Sequence, residues 1–372
     1  MAVLVSGASI AGLSIAYWLD RFGFDVTVVE RAPALRVSGS PIDIRGDALA
    51  VAAQMGVLDD IRDQRVATSG RDAFTTWVDA GGAPIAVLPN EYATDSADDI
   101  EIARDNLIAI LHGVIGTGVE FVYDDSIETV VDTGSGVEVR LSSGRADEFD
   151  VVVGADGIHS TVREAVFGPE HLFRRHLDTY TALVDLPLGS GTAGESVTYS
   201  TPGKMFCIND YGHRTIGFMA ARTPEVDYDN RDVADQKRVL TDLLSGDSGW
   251  RSDFLIQAIA DTDRLYFDSV SQVHMPRWST GRVVLIGDAA HAASLFSGRG
   301  TSLAMIGAHH LATELAATPS DLAGAFGRYE QLLRPRVVTA QEGVSEARDF
   351  LVPATDSDLE ARNRRFAVRA AH

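Results

Sequence analysis

The stretch Ala2–Glu30 restricts the fold more than any other part of this 372-residue chain. Val3-Leu4-Val5 is the apolar run of a short buried strand, and Gly7-Ala8-Ser9-Ile10-Ala11-Gly12 is a glycine-rich turn. Residues 13–21 have helical spacing, with Ile10, Leu13, Ala16 and Tyr17 available for one face and Gly23 to end the helix. Asp25-Val26-Thr27-Val28-Val29 predicts a second strand with Glu30 at its tip. Strand, turn, helix and strand in this order form a complete βαβ unit, which places the chain among α/β folds. Gly7 lets the backbone turn sharply, and Gly12 lets helix and strand pack closely. The middle position, usually a glycine where a pyrophosphate comes near, holds Ser9. N–H groups at the helix start, with the positive end of its dipole, suit a diphosphate. Glu30 is placed to accept hydrogen bonds from a ribose diol. The alternative is an ordinary βαβ packing unit.

Charge and cysteine usage exclude several classes. A formal net charge of −21 repels nucleic acid and anionic membrane, and otherwise reads as solubility. Lys204 and Lys237 are the only lysines, so arginine carries nearly all the positive charge. Cys207 is the only cysteine, which rules out an intrachain disulfide. No HExxH spacing occurs, and His309-His310 are adjacent, so no metal site is expected. No apolar stretch approaches the ~20 residues that span a bilayer. The first strand begins at once, leaving no room for a signal peptide, so a cytoplasmic protein is expected.

Further along, residues 42–46 suggest a short strand, with Asp47 placed to cap a helix over 48–55 that Gly56 closes. A polar helix follows to about Gln64. Residues 74–78 and 85–88 flank Asp79-Ala80-Gly81-Gly82 and predict a β-hairpin. Residues 91–101 read as an acidic loop, 105–115 as a helix, and 119–123, 127–132, 136–141 and 149–153 as strands. Between Tyr180 and Ala220 the alternation changes to that of an antiparallel sheet with Gly and Pro punctuation. Helices are expected over 233–244, 254–259 and 303–316, with strands over 265–274 and 283–286. Residues 322–350 read as largely helical with a break permitted at Pro335, and the tail from Thr355 as a loosely attached helix. There are no internal repeats.

Two more strand ends carry unusual residues. One is Asp150-Val-Val-Val-Gly154-Ala155-Asp156-Gly157, continuing through Ser160 to Arg163. The other is Arg282-Val-Val-Leu-Ile-Gly287-Asp288-Ala289-Ala290-His291, continuing through Gly298-Arg299-Gly300-Thr301-Ser302. Ligands of open α/β sheets gather outside the carboxyl ends of strands, so three such ends suggest one extended cofactor. Together the three stretches resemble the fingerprints of the single-component (group A) flavoprotein monooxygenases, the aromatic-hydroxylase family. Within it the chain is most similar to the polyketide and tetracycline hydroxylase branch. The resemblance runs from Ala2 to about Gln341.

It implies a Rossmann-like (GR2-type) FAD-binding domain, an inserted antiparallel β-sheet substrate domain and a C-terminal helix. The expected division is 1–70, 100–178 and 272–320 for FAD, 71–99 and 179–271 for substrate, and 321–372 for the helical segment. Gly7, Ser9, Ile10, Ala11 and Gly12 would hold the ADP part, Glu30 the ribose, and Arg31 would lie near the adenine. Arg45 and Arg104 match arginines that approach the cofactor, though an arginine in a loop is otherwise merely solvated. Asp156 and Gly157 form the second fingerprint, linked to FAD and the nicotinamide donor. Gly287 and Asp288 would meet the ribityl chain or diphosphate, and Gly298, Arg299 and Gly300 would run beside the flavin ring. Thr301 and Ser302 would aim a helix N-terminus at its pyrimidine end, stabilising the anionic reduced flavin. Taken alone, Asp156 and Asp288 also read as helix caps, Arg163 as an ion-pair partner and His291 as a packing residue. Met205, Phe206, Phe218 and Met219 alternate on sheet strands and would line the substrate cavity with Leu295 and Phe296, core packing being the alternative. Tyr211 and His213 read as exposed turn residues.

The family's prolines after the Gly-Asp-Ala-Ala-His run are replaced by Ser294-Leu295. The activity implied is NAD(P)H- and O2-dependent hydroxylation of an aromatic or polyketide-like molecule through a flavin C4a-hydroperoxide, with NAD(P)H a transient donor. The protein's share is positioning and a dry cavity, which fits the lack of any acid–base dyad or triad. Baeyer–Villiger insertion by the same peroxide is an alternative, as is a decayed flavoprotein acting as a binding protein. A flavin halogenase is disfavoured because Trp18, Trp77, Trp250 and Trp278 are scattered. A monomer or homodimer is expected.

Overall fold

The structure, a computed structural model, describes residues 1–35, 41–66, 74–92, 94–229 and 232–367. Its strands in chain order begin with β1 (Ala2–Ser6), β2 (Asp25–Glu30), β3 (Pro41–Ile44), β4 (Thr75–Val78), β5 (Pro84–Leu88) and β6 (Ile100–Ala103). They continue with β7 (Glu120–Tyr123), β8 (Ile127–Asp132), β9 (Val137–Leu141), β10 (Ala146–Phe149), β11 (Val151–Gly154) and β12 (Arg174–Leu186). The last are β13 (Ser196–Thr201), β14 (Lys204–Asp210), β15 (Thr215–Arg222), β16 (Leu265–Val273), β17 (Ser279–Thr280) and β18 (Val283–Leu285). The helices are α1 (Ile10–Arg21), α2 (Asp47–Met55), α3 (Leu58–Asp63), α4 (Arg104–Gly113), α5 (Thr161–Phe167) and α6 (Val233–Leu244). After them come α7 (Ser252–Asp261), α8 (Asp288–His291), α9 (Gly300–Ala317), α10 (Leu322–Glu342), α11 (Val344–Leu351) and α12 (Asp356–Arg365).

The chain forms two compact units. The first comprises Met1–Arg65, Asp98–Arg175 and Ser271–Gly343. Its main sheet has the order β17-β18-β11-β1-β2-β7. β1 lies in parallel between β2 and β11, with Val3 opposite both Val26 and Val151. Val3, Leu4, Val5 and Val151–Val153 are essentially inaccessible, as strands buried on both faces must be, and this is why they read as apolar runs. The chain runs from β1 to β2 on one side, and the sheet grows through β11 on the other. That reversal is the topological switch point at which such sheets bind ligands. Helix α1 is buried from Ile10 to Leu19, so it has no polar face and sits inside the unit.

The second unit comprises Val66–Ala97, His176–Val270 and Val344–His372. Its sheet has the order β16-β12-β15-β14-β13-β4-β5. The pairs β12/β15, β15/β14, β14/β13 and β4/β5 are antiparallel, while β13/β4 is parallel. Alternate residues, among them Tyr180, Ala182, Phe206, Ile208 and Met219, pack with Val239, Leu240 and Leu244 of α6 and Leu255 and Ile259 of α7.

Several boundaries differ from expectation. Residues 149–153 are not one strand: Phe149 closes β10 against β9, and β11 starts at Val151 in another sheet. Asp47 opens α2 without capping it, because Gly46 occupies the N-cap. Pro335 lies inside α10, and the helical run breaks at Gly343, where the chain passes from one unit to the other. The segment from 321 onward is therefore shared between the units. The tail is anchored, not loose. Arg362 of α12 is 5% exposed and its guanidinium lies 4.3 Å over the Trp77 ring. Burial lowers its pKa to about 10.

Candidate functional site

The glycine turn is fixed by contacts that tolerate no side chain. Gly7 has φ +103°, and a Cβ there would lie 2.6 Å from the Ala155 carbonyl oxygen. A Cβ on Gly12 would stand 1.8 Å from the Gly7 carbonyl oxygen. The first requirement locks the turn against the end of β11, and the second seats α1 on β1. Ile10 and Ala11 are buried beneath the turn. At Gly287 (φ +58°) an added Cβ would come within 2.8 Å of the Ala11 side chain, so the third motif also closes on the first. The three stretches noted in the sequence therefore meet in the first unit.

Ser9 is the N-cap residue of α1, yet its side chain caps nothing. Its hydroxyl instead accepts a hydrogen bond from Arg104 Nη2 at 2.9 Å. Glu30 is 8% exposed, and its carboxylate accepts the Ala8 N–H at 2.8 Å and the Ala32 N–H at 2.9 Å. Each oxygen bonds one backbone donor and keeps acceptor capacity for another. Arg31 is exposed beside it.

In the second motif, Asp156 supports the start of α5, whose N-cap is Ser160. Asp156 accepts hydrogen bonds from the Ser160 hydroxyl and, at 3.1 Å, from the Val162 N–H, so both its oxygens hold the first turn of α5. Burial raises its pKa, against the pull of those bonds. Gly157 has φ +84° with open space around it, so conformation and not crowding calls for glycine. Arg163 is fully buried, donating to the Ala289 carbonyl at 3.0 Å and reaching Glu170 Oε2 at 3.3 Å. It is a tie between the second and third motifs.

The third motif shapes a loop. Asp288 is exposed at the start of α8, and its Oδ1 lies 3.9 Å from where a Cβ on Gly300 would stand. His291 is buried, and burial lowers its pKa to about 3, so it is neutral and packs by Trp278 and Tyr329. Ser294 has φ 93° and ψ 151°, a conformation proline cannot adopt and L-residues rarely do. A 3-10 turn over Leu295–Ser297 follows, and Gly298 takes the left-handed conformation. Arg299 donates its N–H to Ser297 Oγ at 3.1 Å, and α9 starts at Gly300 with no acid in its first turn and no side-chain cap. Thr301 and Ser302 are buried, and Ser302 Oγ accepts the Arg45 N–H at 2.9 Å. Arg45 pairs with Asp43 at 2.8 Å, and its Nη2 would be 3.2 Å from a Cβ on Gly298.

Sequence reasoning missed three residues here. Glu170 gathers His159, Arg163 and Arg174, and a lone acid in a loop gave no signal. Gln272 Nε2 donates to the Ala293 carbonyl at 3.3 Å, and Gln341 Nε2 to the Ala292 carbonyl at 3.1 Å. These glutamines fix the base of the loop carrying Ser294.

The expected substrate-lining set does not stay together. Phe206 and Met219 are fully buried in the second unit's core beneath α6 and α7, so they are withdrawn from the lining. Neighbours on a strand point to opposite faces, so Met205 and Phe218 lie on the other face with Thr75, Thr198 and Cys207. In the first unit, Leu295 is 42% exposed and Phe296 is half-buried.

A glycine turn at the switch point of a parallel sheet, closed on by two further Gly/Asp strand ends, defines an FAD-dependent oxidoreductase. The chain belongs to the FAD-binding flavoprotein monooxygenases of group A: the family described as "FAD binding domain" matches residues 1–327. It is 35% identical over 371 residues to a flavin-dependent monooxygenase of an unknown prokaryotic organism, covering 97% of this chain and 94% of that one. A flavin-dependent monooxygenase of Legionella longbeachae is 33% identical over 355 residues, covering 94% and 90%. The crystal structure of tetracycline destructase Tet(51) matches with a TM-score of 0.85 at 33% identity, over 98% of this chain and 95% of that one. No helix among the described residues is long and apolar enough to cross a membrane.

Proposed function

We propose that this FAD-dependent monooxygenase takes reducing equivalents from NADPH or NADH and hydroxylates an electron-rich aromatic or polyketide-like small molecule. The convergence of the three motifs in one unit carries this reading, with Gly7 against Ala155, Gly287 against Ala11 and Arg163 on the Ala289 carbonyl. The fit to the cofactor rests on the start of α1, which no side chain caps, with Arg104 held beside it by Ser9 and the carboxylate of Glu30 next to the turn. The open N–H groups of α1 and Arg104 would hold the diphosphate, and Glu30 the adenosine ribose with Arg31 beside the adenine. Arg45, Asp288, Gly298, Arg299 and the start of α9 at Gly300, Thr301 and Ser302 would border the flavin end. The positive end of α9 would favour the anionic reduced ring. Asp156 and Gly157 would act through α5. When bound, FAD supplies hydride acceptance and oxygen activation.

The residues around it bind, orient and exclude water. His291, buried against Trp278 and Tyr329, is kept neutral by burial. Of the sheet residues considered for substrate, this reading keeps Phe218, which is half-buried on the face opposite α6 and α7, with Met205 buried on the same face. The likeness to a tetracycline destructase supports a planar, polycyclic, phenolic substrate. The nicotinamide donor would visit transiently, and a cytoplasmic location, where that donor is available, belongs to this reading. The test is a visible spectrum of the purified protein, then stopped-flow mixing with NADPH and NADH and a panel of phenolic polycycles. Flavin absorbance that bleaches faster with one compound, with product gaining one oxygen atom, supports the reading. Bleaching that no compound accelerates, with no oxygenated product, overturns the hydroxylase assignment.

A further inference from the structure

Serine at a helix N-cap ordinarily accepts an N–H of the first turn. Elsewhere in this chain such residues do so. Ser160 accepts from Arg163 at 3.0 Å, Asp232 from Ala234 at 2.8 Å, Asp321 from Gly324 at 3.0 Å and Thr355 from Asp358 at 3.2 Å. Ser9 stands at the N-cap of α1 with extended backbone (φ −98°, ψ −168°) and no capping bond. Its Oγ is bonded to Arg104 Nη2, donated from the first residue of α4. Arg104 is half-buried, and among the described residues no carboxylate lies within ion-pair reach of it. In a chain with 53 acids and 32 lysines and arginines, a half-buried arginine lacking an acidic partner is available to an anion.

We infer that Ser9 is a positioning residue for the diphosphate subsite. By accepting from Arg104 it holds the guanidinium at the mouth of α1. The same bond keeps the serine hydroxyl off the helix's N–H groups, leaving them for phosphate. The serine that replaces the usual glycine thus adds a fixed positive charge, where glycine would leave Arg104 unanchored. This inference rests on the FAD reading and adds to it a role for the one residue that departs from the glycine pattern.

The experiment is FAD titration of the deflavinated protein, followed by flavin fluorescence at low and high ionic strength, with riboflavin as the probe lacking a diphosphate. Ser9→Ala is expected to weaken FAD by about tenfold, the loss of one charge-assisted hydrogen bond, with riboflavin unaffected. Ser9→Thr keeps the hydroxyl and restores binding, which a purely structural role at this turn does not predict. Arg104→Ala is expected to weaken FAD at least as much, and Ser9→Ala/Arg104→Ala no more than Arg104→Ala alone. Ser9→Ala also flattens the salt dependence of FAD binding to that of Arg104→Ala. The inference is overturned if Ser9→Ala binds FAD as tightly as the parent, or if the two single losses multiply in the double variant. A parent protein that takes up no FAD instead removes the cofactor reading itself.

Discussion

The sheet around β1 is buried on both faces and meets its neighbours through backbone. The sheet around β14 has one apolar face under α6 and α7 and another lined by Thr75, Thr198, Met205, Cys207 and Phe218. On that second face the polar groups satisfy one another: Thr75 and Thr198 hydroxyls are 2.8 Å apart, and Ser196 Oγ lies 3.5 Å from Cys207 Sγ. In the first unit the proposed cofactor site is built from glycines, helix ends and a few fixed charges. The face in the second unit is built from side chains, of which Thr75, Thr198, Met205 and Cys207 are buried and Phe218 is half-buried. A cofactor common to a family needs the former, and a substrate that differs between members needs the latter.

The largest effect should come from Phe206→Ala. Emptying this fully buried site is expected to cost about 3–5 kcal/mol in urea unfolding. Phe218→Ala, one strand over on the other face, should cost well under half of that and raise KM for substrate. If both variants changed KM and stability alike, the two faces would not differ in the way described.

Gly12→Ala comes next. The Gly7 carbonyl cannot retreat without moving β1, so a loss of about 3 kcal/mol with FAD retention abolished is expected. Wild-type stability and normal FAD content in that variant would refute the backbone-built site.

The third test is acid titration. His291 is neutral in the fold with its pKa lowered to about 3, whereas an unfolded histidine titrates near 6.5. The unfolded chain therefore binds more protons below pH 6.5, and stability falls as pH drops through that window towards 3. Between pH 7 and pH 5 the parent should lose about 2 kcal/mol that His291→Gln does not. Equal losses in both proteins would show that His291 is not the buried titrating group.

The smallest effect is at Ser294. Relieving its positive φ with Ser294→Gly should stabilise by about 1 kcal/mol, whereas Ser294→Pro should destabilise, as its ring fixes φ near −65°. Thermal melts of the two variants that shift in the same direction would contradict the loop path.

The division between the units also explains what was readable in the sequence. The strand–turn–helix–strand order from Ala2 to Glu30 was legible because glycine spacing and apolar runs encode backbone geometry. So were Gly287 and Arg163, the latter as an ion-pair partner. Phe206 and Met219 were open between cavity lining and core packing, because a strand's alternation reveals two faces but not which one helices cover. Asp156 was open between ligand and cap, since both uses put an acid just beyond a strand. The break that Pro335 permitted falls instead at Gly343, because a proline is tolerated within a long packed helix whose other bonds remain. Gln272 and Gln341 left no trace, as a glutamine bonded to a distant carbonyl looks like any polar surface residue.

Those two glutamines carry a consequence for engineering. They secure Ala292 and Ala293 upstream of the loop that carries Ser294, and the start of α9 secures it downstream. Residues 294–299 therefore form a cassette between two fixed hinges. Within it, Leu295 is exposed and Phe296 half-buried, whereas Gly298 is held in the left-handed conformation close to Arg45, so positions 295 and 296 are the ones to randomise when a new oxidation is sought from this scaffold.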